Sequence, residues 1–483
     1  VSTHAGLLLL DAGTLARRIA AREVSCRELM EASLERIAAL NPLHNAIVSL
    51  REPEVLLAEA DACDATLARG EITGWMHGFP VAVKDLSDAA GLPTTLGSRT
   101  VHRVPETDAL FVQRMKKAGA IVIGKTNTPE FGLGSHTYNQ VFGLTRNAWD
   151  PATSAGGSSG GAAVAVALGM LPVADGSDFG GSLRNPAAFN NIVGFRPSRG
   201  RVPAVPAEDV FFQQLGTEGP MGRTTEDVAR LLCTMAGWDA RAPLSLDEPL
   251  PDPAADDPIA CEPGKRIGWL GPIWPDLPLA PGIRELCEAA LRKLEAAGFV
   301  VEPCTPDLPR EVNWSAWLRV RQMLTAGKLR ALYDQPQLRA LMKPAALWEV
   351  EQSFRLTAAQ LYEASVQRTQ VYQALRRLFE RHDYLVAPAA QVFPFPAEEH
   401  WPQEVAGVAM DTYHRWMEIV TPFSLAGLPV ASVPVGFGPG GLPMGLQVAG
   451  PARADFTVLA LARAWERIAP WSTQRPPAVA RLA

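Results

Sequence analysis

Two serines and a lysine are the residues of this chain best placed to do chemistry. Ser158 lies in Gly156-Gly157-Ser158-Ser159-Gly160-Gly161, Ser182 in Gly176-Ser177-Asp178-Phe179-Gly180-Gly181-Ser182-Leu183-Arg184, and Lys84 ends the apolar run Phe79-Pro80-Val81-Ala82-Val83. The glycines before Ser182 let consecutive backbone N–H groups turn toward one point without side-chain interference, a nest suited to an oxyanion. Donors fixed where negative charge develops are typically the largest catalytic contribution, one being worth roughly 2.7–4 kcal/mol. A hydroxyl nucleophile, an amine to activate it and such a nest are the raw material of amide or ester hydrolysis. Gly-Gly-Ser alone is also a plain tight turn, so the surrounding residues carry the decision.

Those surroundings favour a site. The Ser158 loop opens the small-residue run Ala162-Ala163-Val164-Ala165-Val166-Ala167, whose composition permits a closely packed helix with an N-terminus that favours negative charge. Asp178 and Arg184 flank Ser182 with opposite charges that can pair and hold the loop in so apolar a neighbourhood.

The elements that position these residues read as α/β. Ser25 and Glu28 have capping-box spacing, and Leu29, Met30, Leu34 and Ile37 recur at helical intervals until Asn41-Pro42, where the helix is predicted to close. A second helix is predicted over Pro53–Arg69. The valine-rich run before Lys84 suits a buried strand with the lysine at its C-terminal end, where α/β proteins place chemistry. Helix-then-strand units follow at Thr107–Lys117 with Ala120–Ile123, separated by Gly119, and at Ile283–Ala297 with Phe299–Val301, separated by Gly298. Further strands are predicted at Arg266–Leu270, Tyr384–Ala387, Val430–Pro434 and Met444–Val448. Such alternation argues for a layered α/β fold.

With 483 residues and 47% hydrophobic content the chain can bury a large core. No linker splits it, so it reads as one domain over 1–483: a helical segment at about 1–70, a core at about 75–203, covering insertions at about 204–263 and 312–382, and a C-terminal sheet and helix at about 383–483. Ala204–Pro263, rich in proline, alanine and acid, is expected to be a surface excursion. The polar stretch Val312–His382 is expected to be helical and to form a lid or substrate wall. A net charge of −6 without a basic run gives no footprint for nucleic acid or anionic membrane. The longest apolar stretch, Ala162–Ala174, is broken by Gly169 and Pro172 and predicts no membrane span. Leu7–Leu10 lacks a basic flank and a cleavage site, so no secretory leader is expected. Scattered Cys26, Cys63, Cys233, Cys261, Cys287 and Cys304 fit a reducing, cytoplasmic compartment.

The two serine loops, with Gly194-Phe195-Arg196-Pro197-Ser198 after them, resemble the defining block of the amidase signature family. The flanks are similar too: Gly78-Phe79-Pro80-Val81-Ala82-Val83-Lys84-Asp85, Gly124-Lys125-Thr126-Asn127-Thr128-Pro129-Glu130-Phe131 and Leu428-Pro429-Val430-Ala431-Ser432-Val433-Pro434. The resemblance covers nearly the whole chain. It implies a large mixed twisted β-sheet covered by helices on both faces, with helical insertions. It also implies Ser182 as nucleophile, Ser158 as a bridging serine on a cis peptide after Gly157, and Lys84 as base. The amides of Phe179, Gly180, Gly181 and Ser182 would form the oxyanion hole. Gly132 would contact substrate, as would Ser158 and Phe179. No metal and no cofactor are implied; the expected partner is a small-molecule amide, with a homodimer permitted. Lys84 has to be neutral to accept a proton, which its ordinary pKa of ~10.4 forbids at pH 7 unless burial lowers it.

The chain departs from the family pattern at Phe179, where a smaller residue is frequent and where the ring is expected to narrow the acyl pocket. Asn190-Asn191 stands in place of a frequent Cys-Gly, and Arg196 in place of lysine. Phe131, Tyr138, Phe179, Phe393, Phe395 and Trp416 are candidates for an aromatic pocket wall. The activity expected is hydrolysis of small or medium carboxamides, aryl or aliphatic, with esters or carbamates as side substrates. Alternatives stay open: the glutamine-hydrolysing component of a tRNA-dependent amidotransferase; an α/β-hydrolase-type esterase with Ser159 as nucleophile and His382, His400 or His414 as base; and a non-catalytic amide-binding protein.

Overall fold

Apolar strands buried from end to end need cover on both faces, and here helices supply it. The computed structural model describes residues 6–251 and 261–482. In chain order its principal strands are β1 (Pro80–Lys84), β2 (Ile121–Thr126), β3 (Val173–Asp178), β4 (Val193–Arg196), β5 (Thr217–Gly222), β6 (Arg266–Trp269), β7 (Val300–Pro303), β8 (Tyr384–Pro388), β9 (Val430–Phe437) and β10 (Pro443–Ala449). β3 to β10 form one eight-stranded sheet in the order β7-β6-β8-β10-β9-β4-β5-β3. β7, β6 and β8 run parallel and every other pairing is antiparallel, so the sheet is mixed. Every residue of β8 and β10 is buried.

β1 belongs elsewhere. It pairs parallel to β2, and β2 pairs antiparallel to the short strand Ile47–Val48, in a separate three-stranded sheet. The base candidate Lys84 and the candidate nucleophile loop after β3 therefore come from different sheets.

Local signals account for most boundaries. Ser25 and Glu28 close their capping box, Ser25 Oγ accepting from the Glu28 amide at 3.0 Å and Glu28 Oε2 accepting from the Ser25 amide at 2.8 Å. The helix nevertheless runs past Pro42, over Cys26–His44. A proline in the last turn removes only one hydrogen bond, and the true stop is Asn45 in the left-handed region with φ 49°. Gly119 does the same work between Leu110–Lys117 and β2, with φ 103°.

The expectation of a surface excursion over Ala204–Pro263 is overturned in part. β5 is an inner strand between β4 and β3, and Thr225–Met235 is a helix that buries Val228, Leu231, Leu232 and Met235. Glycine and proline at 219, 220 and 222 hide the strand from a propensity reading. Packing demands Gly219, since a Cβ there would stand 2.3 Å from the Phe195 carbonyl oxygen. The part of the excursion at 252–260 lies outside the described residues. Val312–His382 is helical as expected, chiefly Arg310–Tyr333, Pro344–Ser353 and Ala358–Phe379. Among the described residues no helix is long and apolar enough to cross a membrane.

Candidate active site

Lys84 is fully buried at the end of β1, and its ammonium end is ringed by serine oxygens. Nζ lies 2.8 Å from Ser158 Oγ, 2.8 Å from Ser159 Oγ and 2.9 Å from Ser177 Oγ. Burial drives its pKa down to about 8, against the opposing pull of Glu218, Asp175 and Asp178. A neutral amine is thus within reach near neutrality, as a base requires.

The hydroxyls around Nζ are not equivalent. Ser159 Oγ accepts from the Ser177 amide at 3.2 Å and gives its own proton to the Ser177 carbonyl at 3.3 Å. Toward Lys84 it can only accept. A neutral amine with two N–H bonds can then donate to Ser159 and Ser177 and leave its lone pair for the Ser158 proton. The Gly157–Ser158 peptide is cis. Ser135 Oγ donates to the Gly157 carbonyl at 2.6 Å and Thr137 Oγ1 to the Gly156 carbonyl at 2.8 Å, which fixes the loop.

Beyond β3 the chain turns through Phe179-Gly180-Gly181-Ser182, and Asp178 organises the turn. Its carboxylate accepts from the Gly181 amide at 2.8 Å, the Leu183 amide at 3.1 Å, Arg184 Nε and Nη2 at 3.0 Å each, and Arg196 Nη1 at 3.1 Å. Burial alone would oppose ionisation, yet Arg184 and Arg196 hold this carboxyl well below the ordinary carboxylate range. Arg184 also donates to the Val420 carbonyl, Gln447 Oε1 and Ser424 Oγ, tying the turn to β10 and to the segment before β9. Asp178 and Arg184 therefore pair as their spacing suggests. Arg196 is a third member of this group, brought to Asp178 from β4.

The oxyanion nest needs one correction. Gly181 N–H is spent on Asp178, whereas the amides of Phe179, Gly180 and Ser182 donate to no acceptor among the described residues. The donors open to a substrate oxygen are thus three of the four expected. Ser182 Oγ likewise has no hydrogen-bond partner among the described residues. Glycine is required in the turn: Gly181 has φ 94°, and a Cβ on Gly180 would stand 2.4 Å from Trp317 Cη2.

That tryptophan shows what the helical insertion does. Trp317, on Arg310–Tyr333, lies on Gly180 and meets the Phe179 ring edge-on at 5.8 Å between centroids. Arg321, one turn on, sits 5.5 Å from the centre of the Phe179 ring and pairs with Glu349. The insertion is a wall of the site. Gly132, with φ 69°, comes beside Ser158, since a Cβ there would lie 3.5 Å from Ser158 Oγ and 2.7 Å from Leu86.

The other aromatic candidates each have a packing partner of their own. Phe395 and Trp416 pack against each other, Tyr138 stacks on His400, Phe393 fills the space over Gly438, and Phe131 joins a cluster with Leu133 and Leu329. Aromatic residues serve cores more often than ligand walls. The Ser159 esterase reading fails on geometry: His382 bonds to the Leu378 carbonyl, His400 stacks on Tyr138 and His414 lies among Trp314, Trp317 and Trp348, so none reaches Ser159. Ser177 could have been noticed beside Asp178 in sequence. Asp175 and Glu218 had no signal, because only the packing of β1 against the β3–β5 pair of the other sheet brings them to Lys84.

Fold and site together define a serine hydrolase built on a lysine relay. Residues 28–459 match the Amidase family, and the chain belongs to the amidase signature family of hydrolases acting on C–N bonds through Ser-cisSer-Lys chemistry and an acyl-enzyme. It is similar to the A component of the glutamyl-tRNA(Gln) amidotransferase of Acidothermus cellulolyticus, 36% identical with 93% of this chain and 92% of that one covered. An acylamidase of Rhodococcus erythropolis is 32% identical, with 98% of each chain covered. The solved structure of a bacterial aryl acylamidase of the same family superposes with a TM-score of 0.88 at 30% identity, covering 96% of this chain and 97% of that one.

Proposed function

We propose that the chain hydrolyses small or medium carboxamides to a carboxylate and ammonia or an amine, with Ser182 as nucleophile, Ser158 as proton bridge and Lys84 as base. The observation that carries this reading is the 2.8 Å contact between a buried, readily neutral Lys84 Nζ and Ser158 Oγ. Neutral Lys84 takes the Ser158 proton while Ser158 takes that of Ser182, and the Ser182 oxygen bonds to the substrate carbonyl carbon. The amides of Phe179, Gly180 and Ser182 receive the oxyanion. The relay then returns a proton to the leaving nitrogen as the C–N bond breaks, and water repeats the steps on the acyl-enzyme. Phe179 and Trp317 favour an apolar or aromatic acyl group.

A second reading keeps the same chemistry but takes glutamine as substrate, within a tRNA-dependent amidotransferase. Likeness to the Acidothermus protein, higher in identity than that to the acylamidase, supports it. A panel of primary amides, anilides, carbamates, esters and glutamine, run with wild type and Ser182→Ala, separates the readings. Glutamine turnover that depends on a co-purifying partner selects the amidotransferase. Undiminished activity of Ser182→Ala overturns both.

A further inference from the structure

β3 and β5 pair antiparallel with Ser177 directly opposite Glu218. Directly opposed residues of an antiparallel pair project to the same sheet face, with their Cβ atoms roughly 4.5–5.5 Å apart. Ser177 Oγ is 2.9 Å from Lys84 Nζ, so the Glu218 carboxyl is delivered to the Lys84 side of the sheet. Asp175, two residues along β3, shares that face and accepts from the Lys84 amide at 3.2 Å. Glu218 forms no ion pair within 4.0 Å among the described residues, and its Oε2 is buried without a hydrogen-bond partner. A buried carboxylate oxygen left unpartnered is costly, and protonation relieves the cost.

We propose that Glu218 is a positioning residue for the base, the carboxyl whose protonation state sets the pH at which Lys84 becomes a neutral amine. An ionised Glu218 stabilises the Lys84 ammonium and withholds the base; a protonated one releases it. The groups facing Glu218 are Lys84 from β1, Asp175 from β3 and Lys328 from Arg310–Tyr333, and Asp178 acts on Lys84 from the end of β3. Of these, Asp178 is neutralised by two arginines; Asp175, which accepts from the Lys84 amide, is raised by burial only to about 6 and so ionises first, which leaves Glu218 as the carboxyl that changes state nearest to Lys84. Burial raises its pKa to about 7, so it changes state in the range where Lys84 does.

This inference rests on the Ser182 amidase reading and is tested by the pH dependence of kcat/KM on one neutral anilide, for wild type, Glu218→Gln, Glu218→Ala and Glu218→Asp, with folding checked by circular dichroism. Both uncharged variants are expected to move the acid limb down by roughly one pH unit, which raises activity on that limb up to about tenfold, while KM stays unchanged. Glu218→Asp is expected to keep the limb above that of Glu218→Gln. The pH dependence of fluorophosphonate labelling of Ser182 gives the same comparison without turnover. A limb that stays in place or moves up in the uncharged variants overturns the proposal, as does an effect confined to KM. Failure of the underlying reading shows separately, as activity surviving in Ser182→Ala.

Discussion

Lys84 Nζ and Ser158 Oγ stand 2.8 Å apart across 74 positions of sequence. The first comes from the small parallel pair β1–β2, the second from the glycine loop before Gly160–Ala167. Lys84 is held by burial and by three hydroxyls, and among the described residues no carboxylate pairs with its amine directly.

Replacing Ser182 by alanine is expected to lower kcat on an anilide by at least ~10⁴-fold, and Lys84→Ala to do about the same. Members of one relay are not additive, so the double variant should be scarcely worse than either alone. Initial rates for wild type and the three variants check this.

Activity should climb as pH rises through about 8, the value to which burial lowers Lys84, because only the deprotonated amine accepts a proton. Below that value kcat/KM should fall tenfold per pH unit for a single titrating base. A profile flat from pH 6 to 9 would contradict Lys84 as base.

Asp178→Asn is expected to cost roughly 3–5 kcal/mol of stability, since it strips the partner from buried Arg184 and Arg196. Because the native carboxyl titrates below its unfolded value of ~3.9, its contribution is complete above that pH and is lost as pH falls toward the native pKa. Urea unfolding of both proteins at pH 7 and pH 3 measures the effect. The stability gap should narrow at the lower pH.

Phe179→Ala should widen the acyl side of the site, where the ring meets Trp317. The ratio of kcat/KM between aromatic and short aliphatic acyl anilides is expected to shift by about tenfold or more. Unchanged ratios across the panel would remove Phe179 from specificity.

Trp317 and Glu218 show where sequence reading stopped. Trp317 sits in a polar helical stretch that reads as cover, and only the close approach to Gly180 makes it part of the site. Glu218 lies in a segment whose glycines and proline conceal a strand, and a carboxylate in apparent loop carries no signal. Asn191 makes the opposite point: it stands in place of a glycine frequent in the family and takes a left-handed conformation at φ 56°, which glycine adopts freely and asparagine tolerates.

The order of residues along the chain was enough to define the reacting types and their local geometry: glycines that admit a nest at 180 and 181, a valine-rich strand ending in Lys84, and a capped helix from Ser25. These are short-range matters of φ, hydrophobic period and hydrogen-bonding capacity. Which atoms meet was left to the packing of distant segments. That packing set Lys84 among Ser158, Ser159 and Ser177, turned the Gly181 amide to Asp178, placed Arg196 on the same carboxylate and brought Glu218 opposite Ser177. All of this depends on strand register and on the desolvation of charges from distant segments, and neither can be read from residues taken in order along the chain.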